Sequence, residues 1–174
     1  MEQHKIQHIP VVDDSIKVRG LFILDSGSQS NLRLNRVVIM AGGKGIRMRP
    51  LTENTPKPMI LVAGKPILEH IIERLKGQGF TLFTICTSYL GEVIKDYFGD
   101  GSKWDVDIEY IDEKSPLGTA GSIRNLQKVG DLPFIVTNGD IISSINLGEM
   151  VDFHVEQNAV ATMAIRPHEI QNQF

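Results

Sequence analysis

The chain has 174 residues, a hydrophobic share of 41%, a charged share of 22% and a formal net charge of -3, the composition of a soluble globular domain long enough to bury a real core. The mildly acidic balance argues against a nucleic-acid binder, which carries a basic face, and no apolar run approaches the roughly 20 residues needed to cross a bilayer. The opening Met1-Glu2-Gln3-His4-Lys5 lacks the apolar core of a signal peptide. The single cysteine, Cys86, excludes an internal disulfide and sits in the apolar run 82–86, where a small buried hydrophobe is expected. The expected location is the cytoplasm.

In chain order, Ile9-Pro10-Val11-Val12 and Leu21-Phe22-Ile23-Leu24 read as two short strands joined by a turn at Asp13-Asp14-Ser15. Residues 26–33 are small and polar, a linker by composition. The pattern changes after residue 34. Arg36-Val37-Val38-Ile39-Met40-Ala41 is continuous, apolar and β-branched, as in a strand buried on both faces. Residues 67–75 have helical spacing, with Pro66 suited to a first turn and Gly77 and Gly79 to the stop. Further strands are expected at 80–87, 106–111, 134–137 and 159–165, and further helices at 91–98, 118–129 and 147–156. Strand and helix alternate, which predicts right-handed crossovers and a mainly parallel sheet with helices on both faces, a three-layer α/β/α Rossmann-like fold. Sites in such folds lie at the carboxyl ends of the strands.

The first strand runs into Ala41-Gly42-Gly43-Lys44-Gly45-Ile46-Arg47-Met48-Arg49-Pro50-Leu51-Thr52. Glycines after a strand let backbone N–H groups approach phosphate oxygens. A Walker A loop requires Lys and Ser or Thr after its last glycine, and Ile46 follows Gly45; a dinucleotide fingerprint requires glycine where Met48 stands. Both are excluded by spacing.

The broader pattern is more specific. G-G-x-G-x-R-x-x-P-L-T is followed by Pro56-Lys57-Pro58-Met59, Gly64-Lys65-Pro66, Pro116-Leu117-Gly118-Thr119-Ala120-Gly121 and Asn138-Gly139-Asp140, in that order. This series, over about residues 35–174, resembles the sugar-phosphate nucleotidyltransferases, its nucleotide-binding half. The resemblance implies transfer of a nucleotidyl group from a nucleoside triphosphate to a sugar 1-phosphate, with Mg²⁺ as cofactor. It implies that Arg47 grips the triphosphate, that Lys57 bridges phosphates, and that Asp140 binds the metal. Ala41, Gly42, Gly43, Gly45, Gly118 and Thr119 then line the nucleotide, with Gly42 and Gly118 against the base. Lys44 and Arg49 either add positive potential or face solvent. Five residues before Gly118 stands Glu113, where the resemblance leads us to expect glutamine in thymidine- and uridine-specific members and glutamate in guanylyltransferases. A carboxylate only accepts hydrogen bonds, and guanine offers adjacent N1–H and N2–H₂ donors, so GTP is the favoured donor. Ile46 departs from the family, which usually has threonine there.

His8-Ile9-Pro10-Val11-Val12-Asp13-Asp14 and Gly20-Leu21-Phe22-Ile23-Leu24-Asp25 resemble the closing half of a cystathionine-β-synthase (CBS) domain, so that residues 1–30 form a partial CBS remnant with linker and residues 34–174 an incomplete nucleotidyltransferase domain. A CBS piece ahead of such a transferase suggests a bacterial surface-polysaccharide or glycoconjugate role. The chain is expected to be a truncated form, with homo-oligomerisation open and the sugar unspecified. Two alternatives are a catalytically dead nucleotide-binding regulatory module and a GT-A-like glycosyltransferase, although the latter typically carries Asp-x-Asp where Asn138-Gly139-Asp140 has a single aspartate.

Overall fold

In the computed structural model, which describes residues 8–12, 18–23, 32–113, 118, 121–126 and 130–165, the two N-terminal apolar runs form an antiparallel hairpin of β1 (His8–Val12) and β2 (Val18–Ile23). The run after residue 36 forms β3 (Val37–Met40). Val37, Val38 and Ile39 are fully buried, as β-branched residues in a strand covered on both faces should be. After the glycine loop come a short hairpin of β4 (Leu61–Val62) and β5 (Lys65–Pro66) and helix α1 (Ile67–Gly77). Its buried Leu68, Ile71, Ile72 and Leu75 recur at the i, i+3, i+4, i+7 spacing of one helical face. Burial of each such side chain contributes roughly 1.5–3 kcal/mol.

Strand β6 (Leu82–Thr87), helix α2 (Gly91–Phe98), strand β7 (Asp107–Asp112), strand β8 (Ile135–Asn138) and helix α3 (Leu147–Glu156) complete the body. The four longer strands of the body are all parallel, in the order β7-β6-β3-β8. The two central strands are the most buried, whereas β7 alternates, with exposed Asp107 and Glu109 around buried Ile108. That alternation marks an edge strand open to water on one face. Phe80, Phe83, Ile85, Ile94 and Phe98 join the strand residues and α1 in one core. The start of α3 is fixed by Asn146, whose side chain accepts from the Glu149 backbone N–H at 3.2 Å and donates to the Glu149 carboxylate at 3.0 Å, a reciprocal cap for otherwise unpaired groups.

The chain winds outward from β3 through β6 to β7, and β8 then sits on the other side of β3. The winding therefore reverses between β3 and β8. In open parallel sheets, ligands bind outside the carboxyl ends of strands at such a reversal.

Three expectations need correction. Residues 121–125 form a short 3₁₀ helix, Gly121–Asn125, rather than part of an α-helix over 118–129; Gly118 has a left-handed φ of 81°, which an α-helix does not continue from. Residues 119–120 and 127–129 lie outside the described residues. Residues 159–165 make no strand. A strand exists only as part of a ladder, and this segment pairs with no strand among the described residues, with Val160, Met163 and Ile165 over four-fifths exposed. Arg33, assigned to the linker, belongs to the body: it bridges to Phe80 and pairs bidentately with Asp152, both bonds at 2.8 Å. No helix among the described residues is long and apolar enough to cross a membrane.

Candidate active site

The carboxyl ends of β3 and β8 open into a cleft of about 880 Å³. Residues 40–48, the end of β3 and the glycine loop, line one wall; Lys57 and Pro58, Asn138 and Asp140, and Glu113 with Gly118 line the rest. Ala41, Gly42, Gly43, Gly45, Arg47, Lys57, Glu113, Gly118 and Asp140, singled out from the sequence across 100 residues, thus come together; Thr119 lies outside the described residues.

The loop's shape follows from local contacts. Gly45 has φ +59°, and a Cβ there would stand 2.9 Å from Thr52 Cγ2. Both conditions demand glycine. Thr52 is fully buried and its hydroxyl donates to the Gly45 carbonyl at 2.8 Å. This pulls the turn shut over seven residues, and the 3₁₀ turn Ile46–Met48 follows it. Arg47 is exposed there and lines the cleft without an ion-pair partner among the described residues. Lys44 also lines it, whereas Arg49 is exposed outside the lining. Two cations without ion-pair partners among the described residues, on a glycine turn, give this wall a positive potential. Ile46 also faces the cleft, 61% exposed.

Lys57 opens the 3₁₀ turn Lys57–Met59, whose Pro58 and Met59 are buried. Its Nζ donates to Asp140 Oδ2 at 2.5 Å across the cleft. Asp140 follows Gly139 just beyond β8; a Cβ at residue 139 would stand 3.3 Å from Ile39 Cγ2 and 3.4 Å from the Met40 carbonyl. That close approach lets the turn cross the end of β3 and present Asp140 beside the glycine loop. The described residues hold no cluster of three or more His, Cys, Asp or Glu side chains suited to a metal, so the acidic donor set on this wall is one half-buried carboxylate. This fits Mg²⁺, which keeps several waters and completes its shell with substrate phosphates on one or two carboxylates. It does not fit a closed all-protein metal cage.

Glu113 stands just past β7. Its backbone N–H donates to the Thr87 carbonyl at 2.8 Å, and its Oε1 accepts from the hydroxyl of buried Ser122. Its Oε2 comes within 3.5 Å of where a Cβ on Gly42 would sit, and Ser88 Cβ within 3.1 Å of the same point. The Cys86 thiol beneath is pushed up to about 11 by burial and by the Glu113 charge, against a smaller opposing effect of the Ser122 hydroxyl, so it is a neutral neighbour at physiological pH. Sequence reasoning missed Ser122, although it directly follows the Pro116–Gly121 motif. It also missed Ser88, which carries no motif.

A positively charged glycine loop thus faces a lysine–carboxylate pair at the winding reversal of a parallel α/β sheet, the place where such sheets bind ligands. Residues 36–174 match the Nucleotidyl transferase family, and the chain belongs to it. It is 41% identical over 129 residues to a mannose-1-phosphate guanylyltransferase of Mycobacterium tuberculosis, covering 74% of this chain and 36% of that protein. It is 46% identical over 113 residues to an N-acetylmuramate alpha-1-phosphate uridylyltransferase of Neisseria meningitidis, covering 64% and 49%. The crystal structure of HddC from Yersinia pseudotuberculosis complexed with GMP-PN superposes with a TM-score of 0.62 at 32% identity, covering 71% of this chain and 55% of that one. The chain thus spans between about a third and a half of the length of these two sequence relatives.

Proposed function

We propose that this chain is the nucleotide-binding part of an enzyme that joins a nucleoside triphosphate, GTP by preference, to a sugar 1-phosphate and releases pyrophosphate. The observation that carries this reading is the convergence of the glycine loop with Arg47, the Lys57–Asp140 pair and Glu113 in one cleft. In the reaction an oxygen of the sugar 1-phosphate attacks the α-phosphorus and forms a P–O bond. The bond from that phosphorus to the bridging oxygen breaks, and pyrophosphate leaves with the electron pair. The attacking phosphate is already ionised near neutral pH, its second pKa being about 6, so no general base is required. The protein's work is to hold two polyanions in line and offset their charge.

In this reading the N–H groups of the loop around Gly43 and Gly45 receive phosphate oxygens. Arg47, a planar and permanently charged fork, spans the triphosphate. Lys57 exchanges Asp140 for a phosphate oxygen as the nucleotide enters, and Asp140 is the residue that would hold Mg²⁺. The metal, when bound, would offset phosphate charge as a hard cation. Gly42 and Gly118 leave room for the base.

The guanine preference rests on Glu113. A fixed carboxylate matches the paired N–H donors of guanine and repels the two carbonyls of uracil or thymine. The relatives include both a guanylyltransferase and a uridylyltransferase; the chemistry of Glu113 and the likeness to the HddC structure with GMP-PN support guanine. A product of this kind would supply bacterial surface-polysaccharide or glycoconjugate synthesis.

Arg47→Ala tests the phosphate assignment. GTP affinity, measured calorimetrically with Mg²⁺, should fall by about tenfold or more, the worth of a charge-assisted bidentate contact. GMP affinity should change little. Unchanged GTP affinity, or an equal loss for both nucleotides, would contradict the assignment.

A further inference from the structure

We infer that Ser122 is a positioning residue for nucleobase selection: its buried hydroxyl fixes one oxygen of Glu113 so that the other is presented beside Gly42. The inference rests on the reading of Glu113 as the group that meets the base.

Three contacts place the Glu113 carboxylate. The main chain is held at the end of β7 by the bond from its N–H to the Thr87 carbonyl, 2.8 Å. Oε1 accepts from Ser122, which is 0% exposed and carried by the 3₁₀ turn Gly121–Asn125. Oε2 is left directed at the space over Gly42, where a Cβ would lie 3.5 Å away. Glu113 itself is only half-buried. Without the serine, a flexible side chain at the rim of a cleft lined by Lys44 and Arg47 would sample many rotamers. A base reader discriminates only when its polar atoms are held in place by neighbours that are themselves fixed. Ser122 qualifies because it is buried and its hydroxyl donates to Glu113 Oε1. The neighbouring Cys86 is a buried, neutral thiol that competes with no charge for the Ser122 hydroxyl.

The test is a double-mutant cycle read by calorimetric titration with GTP and with UTP, both with Mg²⁺. The proteins are the unaltered chain, Ser122→Ala, Glu113→Gln and the combined variant. Ser122→Ala should lower the GTP-over-UTP affinity ratio by about tenfold, as loss of a hydrogen bond to a charged group does. The same change should have no further effect on that ratio in the Glu113→Gln background, because the serine acts through the glutamate. Ser122→Cys keeps the shape with a weaker donor and should fall between, and circular dichroism melts establish that each variant is folded. A Ser122→Ala protein that retains the ratio, or that loses GTP and UTP affinity equally, overturns the inference while leaving Glu113 as base reader. A Glu113→Gln protein with an unchanged ratio removes the reading itself, and the inference with it.

Discussion

Gly45 and its neighbour Gly43 separate two uses of glycine in one loop. At Gly45 the backbone is left-handed and the Cβ position is taken by Thr52 Cγ2 at 2.9 Å; at Gly43 nothing lies within 4 Å and φ is unremarkable. Gly45→Ala should therefore destabilise the protein by about 1–2 kcal/mol from the left-handed backbone, with more from the contact. It should also weaken triphosphate binding by displacing Arg47. Gly43→Ala should leave the melting temperature close to that of the unaltered protein. Thermal melts of the two variants decide it, and equal losses would contradict the assignment of the loop's shape to Gly45. Spacing alone distinguished these glycines poorly, since both satisfy the same motif. What the sequence did carry at this scale was residue type in order: Arg47, Lys57, Glu113 and Asp140 all face the cleft. What it did not carry was their partners. The Lys57–Asp140 bond joins residues 83 apart and the Ser122–Glu113 bond residues 9 apart, and both depend on how the chain packs rather than on any local pattern.

At the scale of elements, α2 is tied to the sheet by charge as well as by Ile94 and Phe98. Lys95 Nζ donates to Asp112 Oδ2 at 2.7 Å, and the Thr87 hydroxyl donates to Oδ1 at 2.6 Å. The bond from Lys95, then that from Thr87, holds the Asp112 carboxyl below the usual carboxylate range. A folded-state pKa lower than the unfolded one gives stability that is present above the unfolded value, about 3.9, and is lost as pH falls through the folded value. The melting temperature should therefore decline on acidification below about pH 4, and Asp112→Asn should decline less steeply over the same range. An identical acid profile would remove Asp112 from the account. The effect is modest because Asp112 is more than half exposed.

Elements with signals of their own were legible. Helices α2 and α3 run over 91–98 and 147–156 as the sequence predicts. Elements defined by a partner were less so. The strand expected from residue 80 starts its ladder at Leu82, because Phe80 reaches only Arg33. The two-residue strands β4 and β5 are too short to show a period. Residues 159–165 have strand composition without a strand partner among the described residues, and 121–125 form a short 3₁₀ turn rather than part of an α-helix.

Over the whole molecule, the order β7-β6-β3-β8 makes the site. Because β8 returns beside β3 and not beside β7, the turn carrying Asp140 arrives next to the glycine loop, while β7 brings Glu113 in from the far side over β6. Alternation of strand and helix was enough to read the layers and the end of the sheet that binds ligand. The strand order was not readable, since any parallel winding satisfies the same alternation. The central claim is that this arrangement holds a nucleoside triphosphate and distinguishes its base. Calorimetric titration of the 174-residue chain with GTP, UTP and dTTP in the presence of Mg²⁺ tests it most directly. The account predicts binding of GTP in preference to UTP and dTTP. Equal or stronger binding of UTP or dTTP would contradict the role given to Glu113, and the absence of binding by all three in a sample that melts cooperatively would contradict the claim as a whole.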